Sequence, residues 1–154
     1  MDNMEVKLNI LLDGLKKKEQ ALIEIVNITE NERTVIGSEL PLEDMRAFIA
    51  EMSQSKQAFI QQVKGCDLLF EAVLKEIGPT LDERQDMYTT QVLELQKYIR
   101  RVMDLDVKVR VSEEQNSQLL QDRQPIQPQQ RRKQSPIPLD STRIIKAYER
   151  NKKF

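Results

Sequence analysis

Apolar side chains recur at three- and four-residue steps along most of this chain, the spacing that gathers them on one face of an α-helix. Met4, Leu8, Leu11, Leu15, Leu22, Ile25 and Thr29 follow those steps, with Lys16, Lys17 and Lys18 turned outward, and predict a first helix over 3–34. Leu12, Ile23, Val26 and Ile28 widen the stripe, which suits a helix with neighbours on more than one side. Gly37-Ser38-Glu39-Leu40-Pro41 reads as a connection. Pro41 fits a first helical turn, where its missing N–H is no loss, with Ser38 or Leu40 near the cap.

The second helix is expected over 41–77, with the clearest repeat in the chain: Met45, Ile49, Met52, Lys56, Phe59, Val63, Cys66, Phe70, Val73 and Ile77. Only Lys56 breaks this apolar row, which therefore reads as a heptad seam. Gly78-Pro79 is expected to end it, because glycine suits the position after a helix and proline cannot continue one. A third helix is expected over 80–122, with Tyr88, Val92, Leu95, Ile99 and Val102 on its stripe and Leu93, Tyr98 and Leu105 beside it. Asp82 and Glu83 then fall in its first turn, where acidic groups suit the helix dipole. Between Met103 and Val111 apolar and charged residues alternate as in a strand. Helix is still the better reading, since no turn residue flanks the stretch and a lone strand would have no partner.

Beyond residue 122 the pattern changes. Residues 123–139 are rich in Gln, Pro and Arg, a composition that buries no core and reads as a mobile linker. Residues 140–154 form a short basic tail in which Asp140 or Ser141 would cap a helix carrying Ile144, Ile145 and Tyr148. About a dozen residues are marginal as an isolated helix, so this segment is expected to order only on binding. The predicted fold is all-α: an elongated antiparallel three-helix bundle, or long helical hairpin, with coiled-coil character and a flexible C-terminal tail.

Composition narrows the function. The chain has no His or Trp and one cysteine, Cys66. Catalysis by a nucleophile and base loses its usual base, common zinc sites lose their ligands, and no disulfide can close within the chain. Cys66 on the apolar seam reads as structural rather than reactive. Asp82, Glu83 and Asp86 are explained by capping, Asp104 and Asp106 diverge on a helix, and no calcium or phosphate loop is present. An enzyme, a cofactor and a metal site are therefore not expected. The first five residues lack the basic start and apolar run of a signal peptide. No apolar stretch approaches the roughly 18–20 residues that span a membrane, so the expected location is the cytoplasm.

The net charge of −1 conceals an acidic body and a basic tail. Residues 123–154 hold nine basic side chains against Asp140 and Glu149, a net +7, leaving −8 for the rest. Basic clusters such as Arg131-Arg132-Lys133 bind phosphates. The tail interleaves few aromatics, however, and the acidic body would repel a duplex, so nucleic acid is not an expected partner. An apolar seam is ordinarily the core of its own bundle. Three helices nevertheless leave apolar surplus on a long rod, and an incompletely covered groove accepts another amphipathic helix. Candidate partner-facing residues are Phe59, Val63, Phe70, Tyr88, Leu95 and Tyr98 near such a groove, and Ile144, Ile145 and Tyr148 in the tail. Met45, Met52, Met87 and Met103 would let the surface adapt to different partners. A structural coiled-coil scaffold and a basic-tailed nucleic-acid binder are the competing readings.

The opening segment Leu8-Asn9-Ile10-Leu11-Leu12-Asp13-Gly14-Leu15-Lys16-Lys17-Lys18-Glu19 resembles the first helix of the FlgN/FliT-type flagellar export chaperones, above all their clostridial members. So does the order of parts: a Leu-Pro break, the helix EMSQSKQAFIQQVKGCDLLFEAV, a third helix ending near Glu114-Gln115-Asn116-Ser117-Gln118-Leu119-Leu120, and a Gln/Arg-rich tail finishing in Tyr148-Glu149-Arg150-Asn151. The resemblance implies a bacterial cytoplasmic chaperone that binds C-terminal helical segments of late export substrates, the hook–filament junction or filament-cap proteins. It would prevent their premature assembly and deliver them to the type III export gate. It implies no catalytic residue, and both a monomer and a homodimer are compatible with it.

Overall fold

Asp2 starts the first helix by accepting the Met4 N–H at 2.9 Å, which satisfies one of the donors every helix N-terminus leaves open. In the computed structural model, which describes residues 2–123, helix α1 runs Asn3–Ile36, α2 runs Leu42–Glu83 and α3 runs Thr89–Arg123. A short 3-10 helix, Gln85–Tyr88, joins α2 to α3. The fold is an all-α bundle, with no strand among the described residues. At 1.5 Å per residue the helices make a rod about 50–60 Å long.

Helix α1 is the central element. It packs along its length against both α2 and α3, whose backbones scarcely approach each other. Lys7–Glu76, Lys18–Asp67 and Glu32–Lys56 pairs run in opposite chain directions and make α2 antiparallel to α1. Contacts of Glu19 with Arg101, Thr29 with Glu113 and Arg33 with Asn116 make α3 parallel to α1. The burial pattern along α1 follows a strict heptad: Met4, Leu8, Leu11, Leu15, Lys18, Leu22, Ile25, Thr29, Glu32 and Ile36. Leu8, Leu11, Leu22 and Ile25 are at most 1% exposed, and burying such a side chain contributes about 1.5–3 kcal/mol. A second, smaller cluster of Ile36, Met45 and Ile49, with Leu40 and Leu120, closes the end where α1 turns into α2.

Several boundaries differ from the sequence expectations. Helix α2 continues through Gly78-Pro79 to Glu83 instead of ending at residue 77. Proline inside a helix removes a donor and crowds the carbonyl four residues back. Here only one further turn follows it, and that turn buries Leu81 and bonds the Arg84 N–H to the Thr80 carbonyl at 3.0 Å. The break falls at Arg84, so α3 begins at Thr89 rather than residue 80. Asp82 and Glu83 consequently occupy the last turn of α2, not the first turn of α3, and helix dipole complementarity no longer explains them. Pro41 lies just before α2 rather than within it. Met103–Val111 is helical: Val102, Asp106 and Val109 are buried at helical spacing, while Val107 and Val111 face outward.

Arg123, placed in the linker by its neighbours in sequence, belongs to the bundle. Its guanidinium donates to the Ile36 carbonyl at 2.7 Å and also to the Leu40 carbonyl, which caps the C-terminus of α1 from the end of α3. The remaining linker, 124–139, and the tail, 140–154, lie outside the described residues.

Candidate functional site

Charged residues at heptad positions build the interior chemistry of this bundle. At the first position Lys18 of α1 bonds Asp67 of α2 at 2.7 Å, both side chains under a tenth exposed. Asp106 of α3 is buried alongside, and neither of its carboxylate oxygens has a hydrogen-bond partner. Burial pushes the Asp106 carboxyl up to about 7; the Lys18 charge opposes this and the Asp67 charge adds to it. A partly open cavity of about 20 Å³ adjoins the pair, lined by Gly14, Leu15, Lys18, Cys66, Asp67, Phe70 and Ile99. That is room for one water.

At the second position Lys56 of α2 bridges Glu32 of α1 and Glu113 of α3, all three side chains at most 5% exposed. Burial raises the Glu32 carboxyl above its ordinary value, against the pull of the Lys56 ammonium. Polar neighbours complete the layer. The Asn116 amide donates to the Thr29 carbonyl at 2.7 Å, and the Arg33 guanidinium donates to the Asn116 carbonyl oxygen at 3.0 Å. The sequence signal for these layers was Lys56 interrupting an apolar row. Lys18 carried a misleading one, since a Lys-Lys-Lys run reads as solvated. It is 3% exposed, because the step from Leu15 to Leu22 passes through position 18 and a carboxylate waits there on α2.

The partner-facing candidates fall into two groups. Val63, Phe70, Tyr88 and Leu95 are core side chains, between 0 and 6% exposed, so in this conformation no partner touches them. The bundle uses its own seam for its own core, and α1 covers what the sequence left unassigned. Phe59 and Tyr98 are half-buried at the core's edge. Arg101, Lys16 and Lys97 stand 4.8, 5.6 and 5.8 Å from the Tyr98 ring centroid, a cationic surround that favours the ring's face. Ile144, Ile145 and Tyr148 lie outside the described residues. Of the methionines, Met45 is fully buried, Met52 and Met103 are half-buried and Met87 is 65% exposed.

Exposed apolar side chains are spread over all three helices, Phe48, Leu68, Leu93 and Val107 among them, and two of them, Ile10 and Leu69, line an open groove between α1 and α2. It is lined by Ile10 and Leu69, by Gly14, Gly65 and Cys66, and by the charged side chains Asp13, Lys16 and Lys17. A Cβ added at either glycine would meet nothing within 4 Å, so the helix backbones are bare at these two positions of the groove. Leu69 is 50% and Ile10 37% exposed. Burial and the neighbouring Asp67 push the Cys66 thiol up, with Lys18 and Lys17 opposing, which keeps it protonated and unreactive at neutral pH. Sequence reasoning missed this groove because Ile10, Gly14, Gly65 and Leu69 stand one step off the heptad seams.

Among the described residues no group of acidic or sulfur ligands gathers to hold a metal ion, and no helix is long and apolar enough to cross a membrane. No protein-family model matches the chain, and neither a characterised protein nor a solved structure does. Among the described residues the bundle combines three α-helices, buried ionic layers and a groove lined by Gly14 and Gly65.

Proposed function

We propose that this chain is a cytoplasmic chaperone of flagellar protein export, of the FlgN/FliT type, which holds a C-terminal amphipathic helix of a hook–filament junction or filament-cap protein and hands it to the export gate. The observation that carries the reading is the α1–α2 groove. Its bare backbone at Gly14 and Gly65 lets another helix backbone come close, and Ile10 and Leu69 supply apolar contact. The resemblance of residues 8–19 to the opening helix of those chaperones supports the choice of client, and the same residues contribute Ile10, Gly14, Lys16 and Lys17 to the groove. A lining that includes Lys16 and Lys17 favours a client helix with acidic flanks.

A structural coiled coil is the weaker reading. The heptad seams of the three helices face inward onto one another, and a filament would need at least one of them turned out. Co-expression with the C-terminal segments of the host's junction and cap proteins, followed by sizing with light scattering, tests the proposal. A defined low-order complex with one segment is the expected result. A large homo-oligomer that binds none of them would overturn it.

A further inference from the structure

The two ionic layers share one composition: each holds one lysine and two carboxylates, with one group from each helix. Lys18, Asp67 and Asp106 meet in the first, and Glu32, Lys56 and Glu113 in the second. Such a layer carries a net negative charge in a desolvated space unless one carboxyl keeps its proton. The layers differ in how they engage α3. In the second, Lys56 reaches the α3 carboxylate directly. In the first, Lys18 is bonded to α2 through Asp67, and Asp106 has no hydrogen bond of its own. Toward Asp106, α1 presents Lys18, and the neighbouring Glu19 of α1 is paired with Arg101 of α3. Helix α2 presents Asp67, with Cys66 beside it.

We propose that Asp106 is a proton-operated latch: with its proton on, α3 lies flat on the α1–α2 hairpin, and with its proton lost, α3 loosens at this level while α1 and α2 stay paired. The asymmetry is geometric. Losing the proton sets an unbonded carboxylate against Asp67, whereas the α1–α2 contact at this level keeps its Lys18–Asp67 pair. The backbones of α2 and α3 scarcely meet, whereas α1 packs closely on α3, and the ion pair that ties α2 to α3, Lys56–Glu113, lies in the other layer. The apolar core that α3 shares with α1 and α2, Val63 and Phe70 among its members, would then be opened to solvent. The latch operates whatever the α1–α2 groove holds.

Hydrogen exchange of the full chain, followed by mass spectrometry at pH 5.5 and 8 and corrected for intrinsic rates, tests this. Protection of α3 segments around residues 98–112 is expected to fall about tenfold more than that of α1 segments as pH rises. The difference should vanish in Asp106→Asn and in Asp106→Leu. Equal loss of protection in α1 and α3, or a pH response surviving in both variants, would overturn the latch. A measurement on the unaltered chain stands beside it: urea unfolding must show stability falling from pH 5 to 7, and a flat or rising profile contradicts the proposal.

Discussion

Lys18 and Asp67 meet at 2.7 Å in the interior of the bundle, 49 residues apart in sequence and on different helices. A lysine in a Lys-Lys-Lys run is buried here because the heptad of α1 places it at a core position and α2 presents a carboxylate to it. Removing one partner strands the other charge in a desolvated space. Lys18→Met is therefore expected to destabilise the fold by about 3–5 kcal/mol, whereas Lys18→Met with Asp67→Leu should be neutral or stabilising by about 1–4 kcal/mol. Urea unfolding of the two variants checks the contrast, and equal destabilisation in both would show that the pair is not the cause.

Asp106 fixes the sign of the pH response. The unfolded chain releases this proton above the ordinary value of 3.8, and the folded chain holds it to about 7. The folded state thus binds one more proton between those values, and stability falls by about 1.4 kcal/mol per pH unit across that window, then levels off. Glu32, raised by burial, acts in the same direction. Asp2 acts oppositely: its bonds from Tyr88 and the Met4 N–H lower it, so its contribution is present above its unfolded value and is lost as pH falls through the folded one. Asp106→Asn should flatten the decline between pH 5 and 7, as read by urea midpoints.

Gly14 sits inside α1, where a Cβ meets nothing within 4 Å. Gly14→Ala is expected to raise stability by about 0.5–1 kcal/mol through helix propensity alone. Thermal unfolding reads this directly, and a loss of stability would mean that the groove has no room at this position.

Arg123 bonds the Ile36 and Leu40 carbonyls across the end of the bundle. Arg123→Ala should cost about 1.5–3 kcal/mol, the range for hydrogen bonds to a charged group, and should increase exchange in the 36–42 turn. A substitution without effect on either would remove Arg123 from the bundle.

The all-α bundle and most of its seams were legible because apolar periodicity is a local signal. On α2, however, the expected seam residues Met52, Phe59 and Cys66 are half-buried while Ile60 and Asp67 take the core positions. Polar seam positions were legible only in part. Lys56 showed itself by interrupting an apolar row, but Lys18, Asp67 and Asp106 did not, because their burial depends on partners that only tertiary packing brings together. Gly78-Pro79 misled for a related reason: local propensity argued for a stop, and the burial of Leu81 one turn later outweighed it. Val63, Phe70, Tyr88 and Leu95 were recognisable as apolar anchors, yet nothing in a one-dimensional pattern says whether such an anchor meets its own chain or a partner. The groove at Ile10, Gly14, Gly65 and Leu69 exists only between two helices, so neither helix shows it alone.

The most direct test of the groove is calorimetric titration of the chain, and of its Gly65→Leu variant, with the junction or cap segment that co-purifies. Gly65 is exposed on α2 and a Cβ there meets nothing within 4 Å, so the variant should unfold at or slightly above the midpoint of the parent through helix propensity while a leucine fills the groove. One segment bound per chain, weakened at least about tenfold in the variant, is the expected result. Equal affinity of both proteins for that segment would contradict the placement of the client between α1 and α2.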